Sequence, residues 1–560
     1  MKTILSRLWH VPSRHRPRSD HDELYHDPAA ENGFILPLVL GIIIVMVIVM
    51  LAAASIIDTN FGIVGQNNDS QKAFNIAEAG ANYYLWHLSH NPTDYKDGKT
   101  TPTTPDPVLG YGPYVHTYTD ASATNAGTFT LWINPQGSGS TIVKVRSIGQ
   151  AKGEKTLRTV EAQIGAPSFA SYGVVSDSAL WFGNTESASG PVHSNQGVRM
   201  DGANTTDVTS ANSTYVPSNA IGGNGASHPG VWCDTAVTSP VNCNTRSKVD
   251  WRFPVPSVDF NQVSGSLCAM KKTAFLANGS TSALASQANA CSQTPTTRTN
   301  AYLPQRSASG SFSVTQGYLV QLNTNGTYDL FNVNGENDTL TPYTSALTLQ
   351  SVASGITMPT SGVIFAEDNV WVRSNPTYHG RVTIGAGRLA SAANNANIVI
   401  ADDLVYSTKN GQDAIGLVAE DSVYIAPYAP NSSGAFTFEV DGALLAGSGN
   451  VMYGENGNNA QHPAGYRVSP NSCTRGWVNA NQQFLFYGSV ANRLTWTWTW
   501  LVGNNACGNA VRDPVSGSYI SGILNNTTQY DTNLLYAPPP SYPITSSYNI
   551  LSWREVLTHP

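Results

Sequence analysis

The feature that most constrains this chain is an uncharged apolar run over residues 34–57. At about 1.5 Å per residue, a run of this length makes roughly 36 Å of helix, which is enough to cross the hydrocarbon core of a bilayer. A core helix of a soluble domain would instead carry polar residues on its outer face. The run therefore predicts a single-pass membrane protein.

The flanks of this run predict its orientation. Five basic residues precede it, and they are Lys2, Arg7, Arg14, Arg16 and Arg18. The first basic residue after it is Lys72. Because Lys and Arg are retained on the cytoplasmic side of a membrane, residues 1–33 are predicted to form a cytoplasmic leader and the C-terminal bulk an extracellular domain. A secretory signal peptide fits less well, because its apolar region would be shorter.

Composition indicates an exported, mainly-β protein. Only 12% of the 560 residues are charged, whereas 41% are hydrophobic and the chain has 25 Tyr and 12 Trp. This aromatic and apolar content predicts buried cores rather than disorder. The net charge of −7 offers no broad basic surface, so nucleic acid is not predicted as a main partner. No nucleotide-binding, hydrolase or metalloprotease motif occurs, and no cofactor is predicted.

All the cysteines follow the apolar run, and they are Cys233, Cys243, Cys268, Cys291, Cys473 and Cys507. An even number on one side of the membrane predicts disulfides formed in an oxidising exterior. Their separations favour the three local pairs in chain order, although other connectivities remain open. A zinc site is the competing interpretation, but the sequence contains no C-x-x-C pair.

Two motifs resemble a known family. Gly33-Phe34 before the apolar run resembles the class III signal of type IV prepilins, and residues 73–80 (AFNIAEAG) resemble a segment of PilX-type minor pilins. The resemblance covers about residues 30–165. It implies that a prepilin peptidase cleaves between Gly33 and Phe34 and methylates Phe34. It also implies a long α-helix on a small antiparallel sheet, with other pilin subunits and the membrane as partners.

One position departs from the family. Major pilins carry Glu at the fifth residue of the mature chain, where this sequence has Leu38. A buried carboxylate in lipid is costly, so its absence eases residence in the membrane. The departure favours a minor or tip subunit, and it also fits an anchored protein that never enters a filament.

After the apolar run the pattern predicts a helix that ends at Asn91-Pro92, followed by strands over 127–133, 141–148 and 156–164. Residues 34–57 are thus the transmembrane half of a pilin-like helix, and 58–165 its remainder with a β-meander. The fold class is predicted as α+β.

The remaining chain contains similar segments in which an apolar strand, a small polar corner and a second apolar strand follow one another. They lie at 174–181, 192–198, 364–372, 398–406, 417–425 and 438–446. Such repetition predicts a β-solenoid, with a β-sandwich as the alternative. The solenoid is predicted to begin over 166–215, to continue over 345–450 and to enclose a disulfide-bearing insertion at 216–344. Within this insertion, the turn residues Asn323–Gly326 predict a hairpin of strands over 318–322 and 328–333. Residues 451–560 are predicted to form a β-rich cap.

Three candidate sites emerge from this region. Acids recur at the corners, namely Glu367, Asp368, Asp402, Asp403, Glu420 and Asp421. They are either turn-capping groups, which is the favoured interpretation, or paired catalytic carboxylates of a solenoid enzyme. Residues 332–338 alternate oxygen donors around Gly335, as a Ca²⁺ loop does, but lack the full loop.

The third candidate is the alternation of Thr and Trp over residues 495–500. With a strand period of two, Trp496, Trp498 and Trp500 would share one face. An exposed indole ladder would contact a surface glycan or a host-cell ligand, whereas a buried ladder would close the core of the cap. Burial is the favoured interpretation.

These observations predict a minor pilin of a type IV pilus or related filament, which displays a large domain for adhesion or assembly priming and has no enzymatic activity. A membrane-anchored surface enzyme acting on polysaccharide and a pseudopilin of a secretion system are the alternatives.

Overall fold

The structure is a computed structural model in which two compact units, Met1–Asn68 and Asp69–Pro560, can be distinguished. The residues it describes are 35–91, 94–101, 104–122, 124–135, 142–183, 186–223, 225–234, 250–276, 291–306, 316–336, 346–391, 395–426, 428–429, 437–454, 483–502, 519–545 and 548–557.

The described part of the first unit is helical. It belongs to helix α1, Ile35–His90, whose early residues are almost all exposed and apolar. A window of this helix reaches a mean hydropathy of 3.2 and is not buried at all, so by length and composition the helix can cross a membrane. The predicted apolar span is therefore a helix.

The second unit is mainly β. In its first part the strands are β1 Tyr111–Thr119, β2 Asn125–Pro135, β3 Ile142–Ala151, β4 Leu157–Gly165, β5 Val174–Ser176, β6 Leu180–Phe182, β7 Ser187–Ala188, β8 Val192–Ser194, β9 Val198–Met200, β10 Ala203–Asn204, β11 Val208–Ser210, β12 Thr214–Tyr215, β13 His228–Pro229, β14 Val231–Trp232 and β15 Trp251–Arg252. Helix α2, Gln262–Leu276, follows them.

The later strands are β16 Tyr302–Leu303, β17 Gly317–Asn323, β18 Thr327–Glu336, β19 Leu347–Thr357, β20 Val363–Ala366, β21 Asn369–Asn375, β22 Arg381–Ala386, β23 Ile398–Ile400, β24 Ala414–Ala419, β25 Val423–Ile425, β26 Thr437–Ala446, β27 Val451–Tyr453, β28 Gln483–Asn492, β29 Trp496–Thr497, β30 Thr499–Val502, β31 Tyr519–Gly522, β32 Asn526–Tyr530 and β33 Asn549–Val556. One long N-terminal helix before several sheets confirms the α+β class.

The end of α1 packs on an antiparallel sheet of order β1-β2-β3-β4-β33, here called the N-terminal sheet. Small residues of the AFNIAEAG segment make this contact, because Ala73, Ala77 and Gly80 are all buried. On the sheet, Gly149 lies so close that a Cβ there would stand 2.1 Å from the Ala73 carbonyl oxygen. The predicted strands at 127–133, 141–148 and 156–164 correspond to β2, β3 and β4, whereas β1 was not predicted.

Two further sheets are built mainly from parallel pairs. Sheet A has the order β15-β11-β8-β5-β28-β26-β24-β22-β20-β16, with β32 also paired to β28, and sheet B has the order β19-β18-β17-β21-β23-β25-β27-β29. The chain alternates between them, from β20 to β21, from β22 to β23 and from β24 to β25. Their apolar side chains form one large core that contains Trp371, Ile384 and Leu417.

The spatial order of the strands differs from their order in sequence. Strand β5 pairs in parallel with β28, so residues 174–176 lie beside residues 490–492. From there β8, β11 and β15 extend sheet A in one direction, while β16 and β20 stand at its opposite end. The segment at 166–215, predicted to begin the repeat, thus lies next to β28, which comes late in the chain.

The segment at 216–344, predicted as an insertion, supplies strands to both sheets. Strand β16 pairs with β20 of sheet A, and β17 pairs with β21 of sheet B. The hairpin of β17 and β18 is the one that the sequence indicates around Asn323–Gly326. Helix α2 packs on β20 and β22, and its Lys271 Nζ contacts Glu367 Oε1 at 2.5 Å inside the core.

The C-terminal segment returns to the N-terminal sheet. The proline-rich stretch at 536–543 lies against sheet A, where Arg381 Nη2 donates to the carbonyl oxygens of Ala537 and Pro538, each at 2.7 Å. Strand β33 then pairs with β4. The predicted cap at 451–560 therefore contributes to both sheet A and the N-terminal sheet. Glu161 of β4, buried, anchors β33 by accepting from Arg554 Nε at 3.0 Å.

Candidate functional site

Acidic side chains cluster where the chain returns from sheet B to sheet A. Asp403 follows β23, and its Oδ1 accepts a hydrogen bond from the Glu439 backbone N–H at 2.8 Å. Glu439 and Asp441 lie in β26, and Lys409 Nζ contacts them at 2.5 Å and 2.9 Å. The same ammonium lies 4.6 Å from the ring centroid of Tyr487. These five residues are called the Lys409 cluster below.

The protonation of this cluster is set mainly by burial. Burial raises the pKa of Asp441 to about 7, although the hydrogen bond from Lys409 opposes the rise. Burial also raises the pKa of Asp403 to about 6, and the neighbouring charges of Asp402 and Glu439 add to it. A carboxyl that titrates near neutral pH beside ionised groups has the properties of a general acid. The cluster is therefore a candidate for acid–base chemistry.

The titration of Asp403 predicts how stability changes with pH. Its folded-state pKa of about 6 lies above the ordinary value of 3.8, so its contribution to stability is present below about pH 4 and is lost as the pH rises through 6. Because the side chain is only half-buried, we expect the loss to be about 1–2 kcal/mol rather than the full value of the shift. Asp403→Asn, which keeps the acceptor for Glu439, should raise stability at pH 8 and flatten this dependence.

The measurement is thermal unfolding of the purified chain between pH 4 and pH 8. Asp259→Asn is the matched control, because exposed Asp259 Oδ1 also accepts one backbone hydrogen bond, from Asn261. Equal pH profiles for wild type and Asp403→Asn would contradict the prediction.

The other predicted acids lie at a different corner. Glu367 and Asp368 connect β20 to β21, and Glu420 and Asp421 connect β24 to β25, whereas Asp403 lies on the return from sheet B. Glu420 Oε2 accepts the backbone N–H of Arg388 at 2.7 Å, which is turn-capping chemistry. The recurring acids therefore do not converge on one site. The two kinds of corner look alike in sequence because both combine a small residue with an acid.

The Thr-Trp alternation is not one continuous strand. Thr497 Oγ1 accepts the Thr499 N–H, and the chain bends at Trp498 between β29 and β30. The Trp498 indole is buried against Phe484, with ring centroids 5.4 Å apart. Trp496 is half-buried and stands nearly perpendicular to Trp498, so the two indoles do not form a flat platform. The side chain of Trp500 lies outside the described residues.

One predicted disulfide is present. Cys268 of α2 and Cys291 are bonded, with their Cα atoms 5.1 Å apart. Cys233 is disulfide-bonded as well. The other cysteines, Cys243, Cys473 and Cys507, lie outside the described residues.

The calcium candidate is extended rather than looped. Its residues 332–336 belong to β18, and Glu336 Oε1 accepts hydrogen bonds from Trp371 Nε1 at 3.1 Å and Tyr428 Oη at 2.7 Å. Asn337 and Asp338 lie outside the described residues. Among the described residues, no group of three or more His, Cys, Asp or Glu side chains is arranged to hold a metal ion.

The predicted processing site, Gly33 and Phe34, lies outside the described residues. The described residues start at Ile35, within helix α1, and Leu38 is 58% exposed on the surface of this helix. An apolar side chain at this position keeps the exposed start of the helix free of charge, which suits a lipid environment.

A ladder of buried polar side chains was not predicted from the sequence. Each member precedes a strand of sheet B or stands first in it, and the members are Asn369, Asn397, Ser422 and Asn450. Asn369 Oδ1 accepts the Asn397 N–H at 3.0 Å, and Asn397 Oδ1 accepts the Ser422 N–H at 3.1 Å. Ser422 Oγ accepts the Asn450 N–H at 3.0 Å. The sequence pattern that could have indicated this ladder is the recurring Asn or Ser directly before a Val or Ile.

No protein-family model matches this chain, and no curated protein matches it. Among solved structures, the chain is similar to the competence-associated pilin ComZ from Thermus thermophilus, with 14% sequence identity and a TM-score of 0.26. The match covers 88% of this chain and 98% of that chain. A TM-score this low carries no argument about fold or function.

Proposed function

We propose that this chain is a minor pilin of a type IV pilus or related filament, whose large β-rich domain serves adhesion or assembly priming. The observation that carries the proposal is helix α1. Its early residues present an exposed apolar surface, and its last turns bury small residues such as Ala77 against an antiparallel sheet. A helix with these two halves is suited to lie first in lipid and then among similar helices.

We further propose that sheets A and B are two faces of a β-solenoid. The parallel pairing of β22 with β24 and of β23 with β25 supports this, because consecutive turns of a solenoid stack in register. The polar ladder from Asn369 to Asn450 supports it as well. A rigid stack of this kind is suited to present a binding surface.

A surface enzyme acting on polysaccharide is the second candidate, and the Lys409 cluster favours it. Glycoside hydrolysis uses a pair of carboxyl groups, and Asp441 and Glu439, which both contact Lys409 Nζ, would supply such a pair. If the chain is a minor pilin, as proposed first, the Lys409 cluster only links the loop between β23 and β24 to β26, and the chain catalyses no reaction. Glu439→Gln would abolish glycan turnover in the enzyme and leave a pilin's attachment unchanged.

The test of the main proposal is N-terminal sequencing of the protein from cells, together with its location in sheared surface filaments. We expect the mature chain to begin at Phe34 and to appear in the filament fraction. Replacement of Gly33 by Val should leave the leader attached and the protein in the membrane. A wild-type chain that retains residues 1–33 in cells that process other prepilins would contradict the proposal. A processed chain whose loss impairs protein export rather than attachment would indicate a pseudopilin.

A further inference from the structure

Strand β19 forms an open edge of sheet B. It pairs with β18 on one side, and no other described strand pairs with its second side. Residues 348–351 and 354–355 are exposed, so solvent reaches both faces of the strand. The backbone N–H and C=O groups of its free side are thus available to another strand.

The sequence of β19 lacks two usual protections of an edge, namely charged residues and proline, whereas its pairing with β18 does contain register shifts. Its residues, LTLQSVASGIT, include no charged residue and no proline. Natural edge strands commonly carry charges or proline, or they are very short. The terminal strands β15, β16 and β29 of the two sheets are each two residues long, as this rule requires, whereas β19 has 11 residues. The exposed edges of the N-terminal sheet contain Pro113 in β1 and Arg554 in β33.

We propose that β19 is a self-association edge, at which the β19 of a second copy of this chain adds in antiparallel orientation. A head-to-tail arrangement would need a long free strand at the opposite end of sheet B, and β29 is too short to supply it. Pairing of β19 with β19 is isologous and closes after two copies. Because the strand is uncharged, the two-fold axis brings no like charges together.

The geometry of such a pair predicts which positions of β19 can be crosslinked to their own copies. In an antiparallel pair, residues directly opposite each other have Cα atoms about 4.5–5.5 Å apart. A residue on the two-fold axis faces its own copy, and each step along the strand separates the two copies by roughly 7 Å more. A single added cysteine therefore crosslinks to its copy only near the axis.

The experiment uses the full chain in membranes and one added cysteine at a time. The exposed positions are Thr348, Gln350, Ser351 and Ser354, and Ser122 in the exposed turn before β2 is the matched control. We expect oxidation to give dimer at one or two adjacent β19 positions, on the order of tenfold more than at Ser122→Cys, given the distances above. Equal yields at all positions would overturn the proposal, as would adducts of β19 with a different protein.

A second variant separates strand pairing from chance collision. The variant adds a lysine directly beside the position that crosslinks, for example Ser351→Lys next to a cysteine at Gln350. It brings two like charges together near the axis, and we expect the yield of dimer through that cysteine to fall. Ser122→Lys should leave that dimer unchanged. Dimer that persists in Ser351→Lys would show that another surface brings the copies together. The proposal does not rest on the filament role, because it predicts dimers whether or not residues 1–33 are removed.

Discussion

Replacement of Asn397 by alanine is expected to lower the free energy of unfolding of the β-rich domain by about 2–3 kcal/mol. Asn397 is fully buried, and its Oδ1 accepts the backbone N–H of Ser422, which is itself buried. Alanine removes this acceptor without admitting water, so the Ser422 N–H stays buried and unsatisfied. It also leaves a cavity beside Asn369, whose Oδ1 accepts the Asn397 N–H.

Chemical denaturation followed by tryptophan fluorescence measures this loss, because Trp371 lies in the same core. Asn212→Ala is the matched control, since the Asn212 side chain is exposed and we expect a change within about 0.5 kcal/mol there. If Asn397→Ala were as stable as Asn212→Ala, the ladder would contribute nothing to the stacking of the strands.

Local pattern was enough to predict much of the fold. The apolar run predicted the helix, and period-two alternation predicted β2, β3 and β4. The turn residues Asn323–Gly326 predicted the hairpin of β17 and β18. These elements depend on residues close together in sequence, such as a turn and the strands it joins. The polar ladder could also have been predicted, because Asn369, Asn397 and Asn450 each precede a Val or Ile at the start of a strand.

The spatial order of the strands could not be predicted from the sequence. Pairing of β5 with β28 joins segments more than 300 residues apart, as the hydrogen bond from Asn492 Nδ2 to Ser176 Oγ shows with a separation of 316. Any apolar strand of similar length satisfies the same local rules, so periodicity does not choose between partners. The same reason explains why β33 was not assigned to the N-terminal sheet.

The acidic corners show a different limit. Residues 401–403 and 419–421 read alike, as Ala followed by two acids, yet one stretch leaves sheet B and the other leaves sheet A. A corner is defined by the direction in which the chain turns, and composition does not record that direction. The candidate site instead lies around Lys409, whose contacts join β26 to the loop between β23 and β24.

Replacement of Gly149 by alanine is expected to separate helix α1 from the N-terminal sheet. A Cβ at Gly149 would stand 2.1 Å from the carbonyl oxygen of Ala73 and 2.4 Å from the backbone nitrogen of Ala77. Both are backbone atoms of α1, so no side chain can rotate away and the helix itself must move. Overpacking typically costs about 1–3 kcal/mol, and rigid backbone on both sides places this substitution at or above the upper end.

The loss would be local, because the buried side chains of α1, among them Tyr84 and Leu88, belong to the core cluster of this sheet and not to the core between sheets A and B. Hydrogen exchange at the amides of β3 measures it, and we expect protection there to fall while that of β24 stays unchanged. Gly335→Ala in β18 is the matched control, since the nearest atom to a Cβ there is 3.9 Å away. Unchanged protection of β3 in Gly149→Ala would mean that helix and sheet are not packed this closely, and that the small residues at Ala73, Ala77 and Gly80 serve some other contact.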